Sequence, residues 1–329
     1  MKYPQIANLV YQEPWAIHPA KFAEILHFIG IKATGGEITA EEIEAITAAS
    51  PASNPSRNGA VAVLPMQGVM AQRMNLMSAM SGGISTEMFG RTFNAAVADP
   101  SISAIVLDID SPGGSVFGVQ ELWQTIMGAR GVKPVVAFAN SMVASAAYWI
   151  ATAAQEIVVT PGGQVGSIGV LTGHSDISAR LEMTGESVTL ISAGKKKVDA
   201  NPFEPLSDQA RADLQSQVDI YYASFVGAVA QGRGVTRAAV RDGFGEGGMV
   251  GAEAAVTEKM ADRVGTLDMA VGRAGVLSRV RAENWGEITV EDAKYMPEVT
   301  SYLLTGEERS DDDTDLRSRR LALQRLTNN

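Results

Sequence analysis

From Ala60 onward the chain alternates two textures of apolar residues. Val61 to Pro65, Ile102 to Ile109 and Val135 to Ala139 are short, β-branched and nearly uninterrupted, as strands buried on both faces of a parallel sheet are. Between them, Thr86 to Ala98, Val116 to Ala129 and Ser145 to Ala154 carry apolar residues in helical patterns. This alternation predicts an α/β domain with a mostly parallel sheet and flanking helices. Ile157 to Thr160, Val165 to Leu171 and Val188 to Ile191 are further strand candidates. Ser207 is a predicted N-cap for a long helix that runs to about Gln231, where Gly232-Arg-Gly234 ends it.

The flanks read differently. Residues 1–50 form a small helical N-terminal region, with Thr39-Ala-Glu-Glu42 fitting a capping box. Residues 51–59, rich in Pro, Ser, Asn and Gly, are a linker to a main domain at 60–280. Residues 281–329 are a C-terminal extension whose tail around Asp311 to Asp313 is expected to be solvated, with a short amphipathic helix at Leu316 to Leu326. The uncharged stretch from Pro134 to Gln155 contains Asn140, Ser141, Ser145 and Thr152 and changes texture midway, so it reads as a strand entering a helix and not as a membrane span. The N-terminus lacks the basic start and unbroken apolar run of a secretory signal, and none is expected.

Composition narrows the function classes. At 329 residues with 46% apolar side chains, the chain has material for one large core plus appendages or for two modest domains. The net charge of −10, with no basic run longer than Lys195 to Lys197, argues against nucleic acid or an anionic membrane surface as main partner. The absence of cysteine removes disulfide scaffolds, thiolate zinc sites and cysteine nucleophiles, and fits a reducing, cytoplasmic setting. With only His18, His27 and His174, a multi-histidine metal cluster is not expected, and no cofactor is called for.

Three small-residue segments stand out: Asp110-Ser-Pro-Gly-Gly114 after a strand, Ala144-Ser-Ala-Ala147 opening an apolar helix, and Gly166-Ser-Ile-Gly-Val170. Taken singly they read as a tight turn, an N-cap and a bend in a buried strand. Taken together they suggest acyl transfer. A serine at the mouth of a helix sits beside free backbone N–H groups that favour a developing oxyanion, and the Gly113-Gly114 turn can present a second N–H at close range. The serine needs a base. His174 is the only histidine in the α/β region, but no spacing supports it and a satisfied surface or core histidine is the simpler role. A lysine is the alternative, where burial or neighbouring positive charge lowers its pKa; the Gly194-Lys-Lys-Lys197 run flanked by Ile191 and Val198 offers both in principle, although a solvated basic turn is the ordinary reading of such a run.

These segments, in order and together with Ala144-Ser-Ala-Ala-Tyr-Trp-Ile-Ala151, Pro202-Phe203 and Gln231-Gly-Arg-Gly234, resemble the signal peptide peptidase A (protease IV) family of serine peptidases over roughly residues 60 to 275. The resemblance implies a crotonase/Clp-protease-like α/β fold and a Ser/Lys dyad. It places the nucleophile on Ser145, the base on Lys197 in preference to Lys195 or Lys196, an oxyanion hole on Gly113, Gly114 and Ala146, and a lysine-orienting hydroxyl on Ser167. Two departures are noted: Lys196 precedes the base where the family has an aromatic or small residue, and Ala146-Ala147 replaces Gly-Gly after the nucleophile.

Thr172-Gly-His-Ser-Asp-Ile-Ser-Ala179 and Lys197-Val-Asp-Ala-Asn-Pro-Phe203 look most like the capsid assembly proteases of tailed phages and prophages. That branch implies polypeptide substrates such as scaffold, portal or coat segments and the enzyme's own termini, and a homo-oligomeric ring in which a neighbour can complete the site. Two alternatives stand beside it: a soluble bacterial housekeeping peptidase of the same chemistry, and a crotonase-fold scaffold-binding protein without catalysis.

Overall fold

The computed structural model describes residues 13–33, 54–73 and 83–281. In chain order the strands are β1 (Trp15–Ile17), β2 (Ser56–Asn58), β3 (Val61–Gln67), β4 (Met70–Ala71), β5 (Ile84–Ser85), β6 (Ala104–Ser111), β7 (Gly113–Ser115), β8 (Val135–Ala144), β9 (Glu156–Val159), β10 (Gln164–Gly166), β11 (Met249–Gly251) and β12 (Arg263–Val264). The helices are α1 (Pro19–Ala33), α2 (Thr86–Ala98), α3 (Val119–Ala129), α4 (Ala146–Ala151), α5 (Ser178–Thr184), α6 (Asp208–Arg233), α7 (Arg237–Asp242), α8 (Ala252–Thr257) and α9 (Leu267–Arg281).

The uninterrupted apolar runs make the middle of the main sheet. Strands β3, β6 and β8 lie parallel, in register Val61 with Ala104 and Ile105 with Val135. Around them the order is β11-β10-β8-β6-β3-β2, with β9 on β8 and β12 on β9. Alternate residues serve opposite layers. Val61, Val63, Val106, Val136 and Phe138 pack with Ala270, Val271, Ala274 and Leu277 of α9. Leu64, Met66, Ile105, Leu107 and Ala137 belong to the larger cluster on the other face, with α2, α3 and α4. Coverage of both faces explains why these strands lack polar alternation. A smaller sheet, β1-β7-β4-β5, stands beside the C-terminal end of β6.

Several expectations match the structure closely. Helix α2 spans Thr86–Ala98, capped by Ser85, whose side chain accepts from the Met88 N–H. The Ser207 hydroxyl accepts from the Ala210 N–H, and Gly234, in the left-handed region at φ 64°, ends α6. Others need correction. Val188 to Ile191 is not a strand: the run projects from the body with Ile191 97% exposed, and a β-branched sequence with no sheet edge beside it has nothing to pair with. Of Val165 to Leu171 only Val165 and Gly166 lie in a strand, Gln164–Gly166, with Leu171 forming an isolated bridge to Trp15. The Ser145 to Ala154 helix is shortened to Ala146–Ala151.

The N-terminal region contains the helix α1, preceded by β1, which pairs with β7. Within the linker, Ser56–Asn58 adds to the sheet edge antiparallel to β3. The Thr39 capping box, Pro51 to Ser53, the Asp311 to Asp313 tail and the Leu316 to Leu326 helix lie outside the described residues.

Candidate active site

Ser145 is made by a strand that ends abruptly. Two extra residues on β8 intervene between the pairs Ile109 with Ala139 and Ser111 with Val143, and within that bulge Ser141 takes φ 78°. Strand β8 then closes on Ala144, and Ser145 turns into α4 at φ 55°, ψ −118°. A non-glycine residue held there stores about 1–3 kcal/mol of backbone strain, which persists only where the surroundings over-determine it. They do. The Ser145 N–H donates to Gly166 O at 2.7 Å, its carbonyl accepts from the Trp149 N–H at 2.9 Å, and the residue is fully buried. Its hydroxyl points to Gly169 O at 3.4 Å.

Helix α4 is fixed at both ends. Trp149 stacks on Phe225 of α6 at 4.7 Å between ring centroids, and the buried Tyr148 hydroxyl, its pKa pushed up by burial, donates to Met260 O at 2.8 Å. Just past the C-terminal end of α4, Arg130 donates to Thr152 O, Ala153 O and Ala154 O, satisfying carbonyls of the turn that follows the helix. Burial lowers the Arg130 pKa to about 10. Nothing in the local sequence pattern distinguishes Arg130 from a surface arginine.

The glycine turn comes as close as glycine allows. A Cβ on Gly113, at φ 92°, would run into Ala16 O and sit 3.0 Å from Ala144 O and 3.1 Å from Ala146 N; one on Gly114 would overlap Met70 O. Strand β7 is thereby laid against the start of α4. Ser111, not singled out by sequence, shapes the turn: its hydroxyl donates to Gly68 O at 2.7 Å and accepts from the Gly113 N–H at 3.1 Å.

Ser167 is buried, at φ 54°, and its N–H donates to Gly248 O at 2.7 Å. Gly248 belongs to a turn in which Phe244, Gly245, Glu246 and Gly247 all have positive φ. The sequence signal for that turn is the glycine-rich run Gly243-Phe-Gly-Glu-Gly-Gly248, outside the motifs above. The Ser145 N–H to Gly166 O bond thus sets Ser145 beside the residue preceding Ser167, and Gly113, followed by Gly114, lies against the Ala144–Ala146 backbone.

The lysine run is elsewhere in character. Lys195, Lys196 and Lys197 are all exposed, and the flanking Ile191 does not cover them. Lys196 Nζ pairs with Asp213 Oδ2 at 2.5 Å, and that hydrogen bond holds the Asp213 carboxyl below its usual range. Lys197 lies in a tight turn, its N–H donating to Gly194 O at 3.0 Å, and its amine makes no hydrogen bond to Ser145 or Ser167. His174 bonds through Nε2 to Asn201 O at 2.9 Å, a structural tie across the 172–206 segment.

A strained serine between glycine backbone and a helix start is an arrangement for nucleophilic attack on a carbonyl, and comparison with known proteins gives it a family. Residues 129–281 match Peptidase family S49. The chain carries an S49 peptidase domain. Ser145, Ala146, Ser167 and Lys197 fall inside the matched residues, and Gly113 and Gly114 precede them.

Capsid assembly protease C of Escherichia phage lambda is 34% identical over 256 residues, 73% of this chain and 58% of that protein. Head-tail preconnector protein GP5 of Enterobacteria phage P21 is 35% identical over 198 residues, 60% of this chain and 38% of that protein. A putative protease of Methanocaldococcus jannaschii is 30% identical over 205 residues, 62% of this chain and 66% of that protein. The chain therefore spans less than two thirds of the length of each phage relative. No helix among the described residues is long and apolar enough to cross a membrane.

Proposed function

We propose that this S49 chain is a serine endopeptidase of phage or prophage head maturation, cleaving scaffold, portal or coat segments and its own termini. The observation that carries the reading is Ser145, buried and strained at a strand-to-helix turn against the backbone of Gly113 and Ala146. Lys197 Nζ takes the Ser145 proton as Oγ bonds to the scissile carbonyl carbon, and the N–H groups of Gly114 and Ala146, supported by the Gly113 turn, hold the oxyanion. The C–N bond then breaks, and the lysine ammonium returns its proton to the leaving amine. Water, activated by the same amine, hydrolyses the acyl-enzyme. Ser167 orients the amine.

This chemistry needs a neutral, covered lysine. In the single chain the lysine turn is exposed, and Met183, Val188, Leu190 and Ile191 beside it are exposed as well. We therefore read the enzyme as a homo-oligomeric ring, latent until neighbouring copies cover the 172–206 segment, and acting in the host cytoplasm or inside the procapsid. Residues 60–280 form the peptidase unit in this reading, with 1–50, the 51–59 linker and 281–329 as appendages. The names of the two phage relatives favour this over a housekeeping role.

The test is the intact mass of the purified full chain after prolonged incubation, beside Ser145→Ala and Lys197→Ala. Self-trimming is expected in the wild type alone. Trimming retained in Lys197→Ala but lost in Lys196→Ala moves the base by one residue. Ser145→Ala indistinguishable from wild type in trimming and in cleavage of scaffold protein overturns the peptidase reading in favour of a binding protein.

A further inference from the structure

Strand β1 is bonded on both sides to backbone that belongs to the candidate site, a strand on one side and an isolated bridge on the other. On one side Trp15, Ala16 and Ile17 pair antiparallel with Ser115, Gly114 and Gly113. On the other, the Trp15 N–H donates to Leu171 O and the Leu171 N–H to Trp15 O, both at 2.8 Å. Leu171 lies two residues past Gly169, whose carbonyl accepts from the Ser145 hydroxyl. The ends are fastened too: the Val116 N–H donates to Pro14 O at 3.2 Å and the His18 N–H to Pro112 O at 2.7 Å.

Proteins that take extended peptides commonly do so by strand addition, with main-chain bonds giving affinity and alternate side chains giving selectivity. Strand β1 uses both. Trp15 and Ile17 face Val69, Phe22, Ile25 and Leu171, while Ala16, wholly buried, faces the main core, and its carbonyl lies against Gly113. The residue at this middle position is small and its side chain is enclosed. Glu13 adds a polar clamp, accepting from the Ser115 hydroxyl and, through its backbone carbonyl, from the Thr172 hydroxyl at 3.4 Å.

We propose that Trp15–Ile17 is an intramolecular peptide ligand of the substrate slot, which lies between β7 and Leu171 and receives an extended polypeptide only after this strand has left. The proposal rests on the peptidase reading above and adds a second condition for activity, separate from covering the lysine turn. It assigns the slot a preference for a small residue at the position of Ala16, flanked by larger apolar ones.

The chain has no cysteine, so one engineered pair is unambiguous. A hydrogen-bonded antiparallel pair has Cα atoms about 5.5 Å apart, within the roughly 4.4–6.8 Å that a disulfide closes. In the full-length Trp15→Cys, Leu171→Cys double variant, the oxidised form is expected to cleave unfolded casein at least tenfold more slowly than the reduced form, with reductant restoring the rate. Equal rates overturn the proposal, as does failure of the disulfide to form.

If no form cleaves and Ser145→Ala matches wild type, the peptidase reading is what has failed. The slot is then judged by binding alone. A fluorescent peptide of residues 12–19 should bind the full-length Trp15→Gly variant and not the wild type. Binding to neither, or equally to both, overturns the slot.

Discussion

The two halves of the proposed dyad sit in opposite kinds of structure. Ser145 is fully buried, at the junction of the most central strand and a helix braced by Arg130, Trp149 and Tyr148. Lys197 lies on an exposed turn held by local bonds such as Lys197 N–H to Gly194 O and Asn201 Nδ2 to Val198 O. A group positioned by the core is finished when the chain folds. One positioned by local turns takes its environment from whatever covers it, so the proposed mechanism asks the core to set Ser145 and asks a covering surface to set Lys197.

The sharpest way to break this comparison is to remove each half and read activity and stability together. Ser145→Gly and Lys197→Ala should each lower cleavage by about 10⁴-fold or more, because groups that act as a unit fail as a unit. Their melting temperatures should diverge: Ser145→Gly relieves the strained backbone and gains about 1 kcal/mol, whereas Lys197→Ala changes stability by less than about 0.5 kcal/mol. Equal thermal shifts in the two variants would falsify the contrast.

Next in size is the brace. Arg130→Met leaves the carbonyls of Thr152, Ala153 and Ala154 without their donor, and urea unfolding should show a loss of about 3 kcal/mol. A smaller effect tests the electrostatics near the bulge. Burial raises the Asp108 carboxyl above its ordinary value of 3.8. A raised carboxyl penalises the folded state once pH exceeds the folded value, and the penalty is gone below the unfolded one. Asp108→Asn should therefore raise the melting temperature at neutral pH, and the gain should disappear as pH falls toward 3.8. Least of all, Lys196→Ala removes an exposed ion pair with Asp213 and should cost no more than about 0.5 kcal/mol, with cleavage within twofold of wild type. A large loss of activity there would make Lys196 the base.

What could be read from the sequence follows the same division. The central strands were legible because a strand buried on both faces is a continuous apolar run, and Ser85 and Ser207 caps and Gly234 mark helix ends by local chemistry. The serine and glycine motifs were legible because backbone contact demands small residues wherever they occur. Strand β1 was not, since Trp-Ala-Ile is too short to show a period and its partners lie about a hundred or more residues away, at Gly113–Ser115 and Leu171. Val188 to Ile191 reads as a strand without being one for the converse reason: strand-like residues describe a willingness to pair, and the partner edge is information held elsewhere in the chain.

Strand β8 changes neighbours along its length. Val136 to Ala139 pair with β9, Met142 to Ala144 pair with β10, and Asn140 and Ser141 between them pair with neither. Strand β6 runs past the change, paired with β8 on both sides of it through Ile109 with Ala139 and Ser111 with Val143, and Asn140 Nδ2 to Asp108 Oδ1 and Met142 N–H to Asp110 Oδ1 add side-chain ties there. Ser145, Gly166 and Ser167 all sit beyond the change, on the side that carries β10 and β11. The spacing between the two serines is thereby set by one short stretch of backbone, the β8–β10 ladder and the Ser145 N–H to Gly166 O bond.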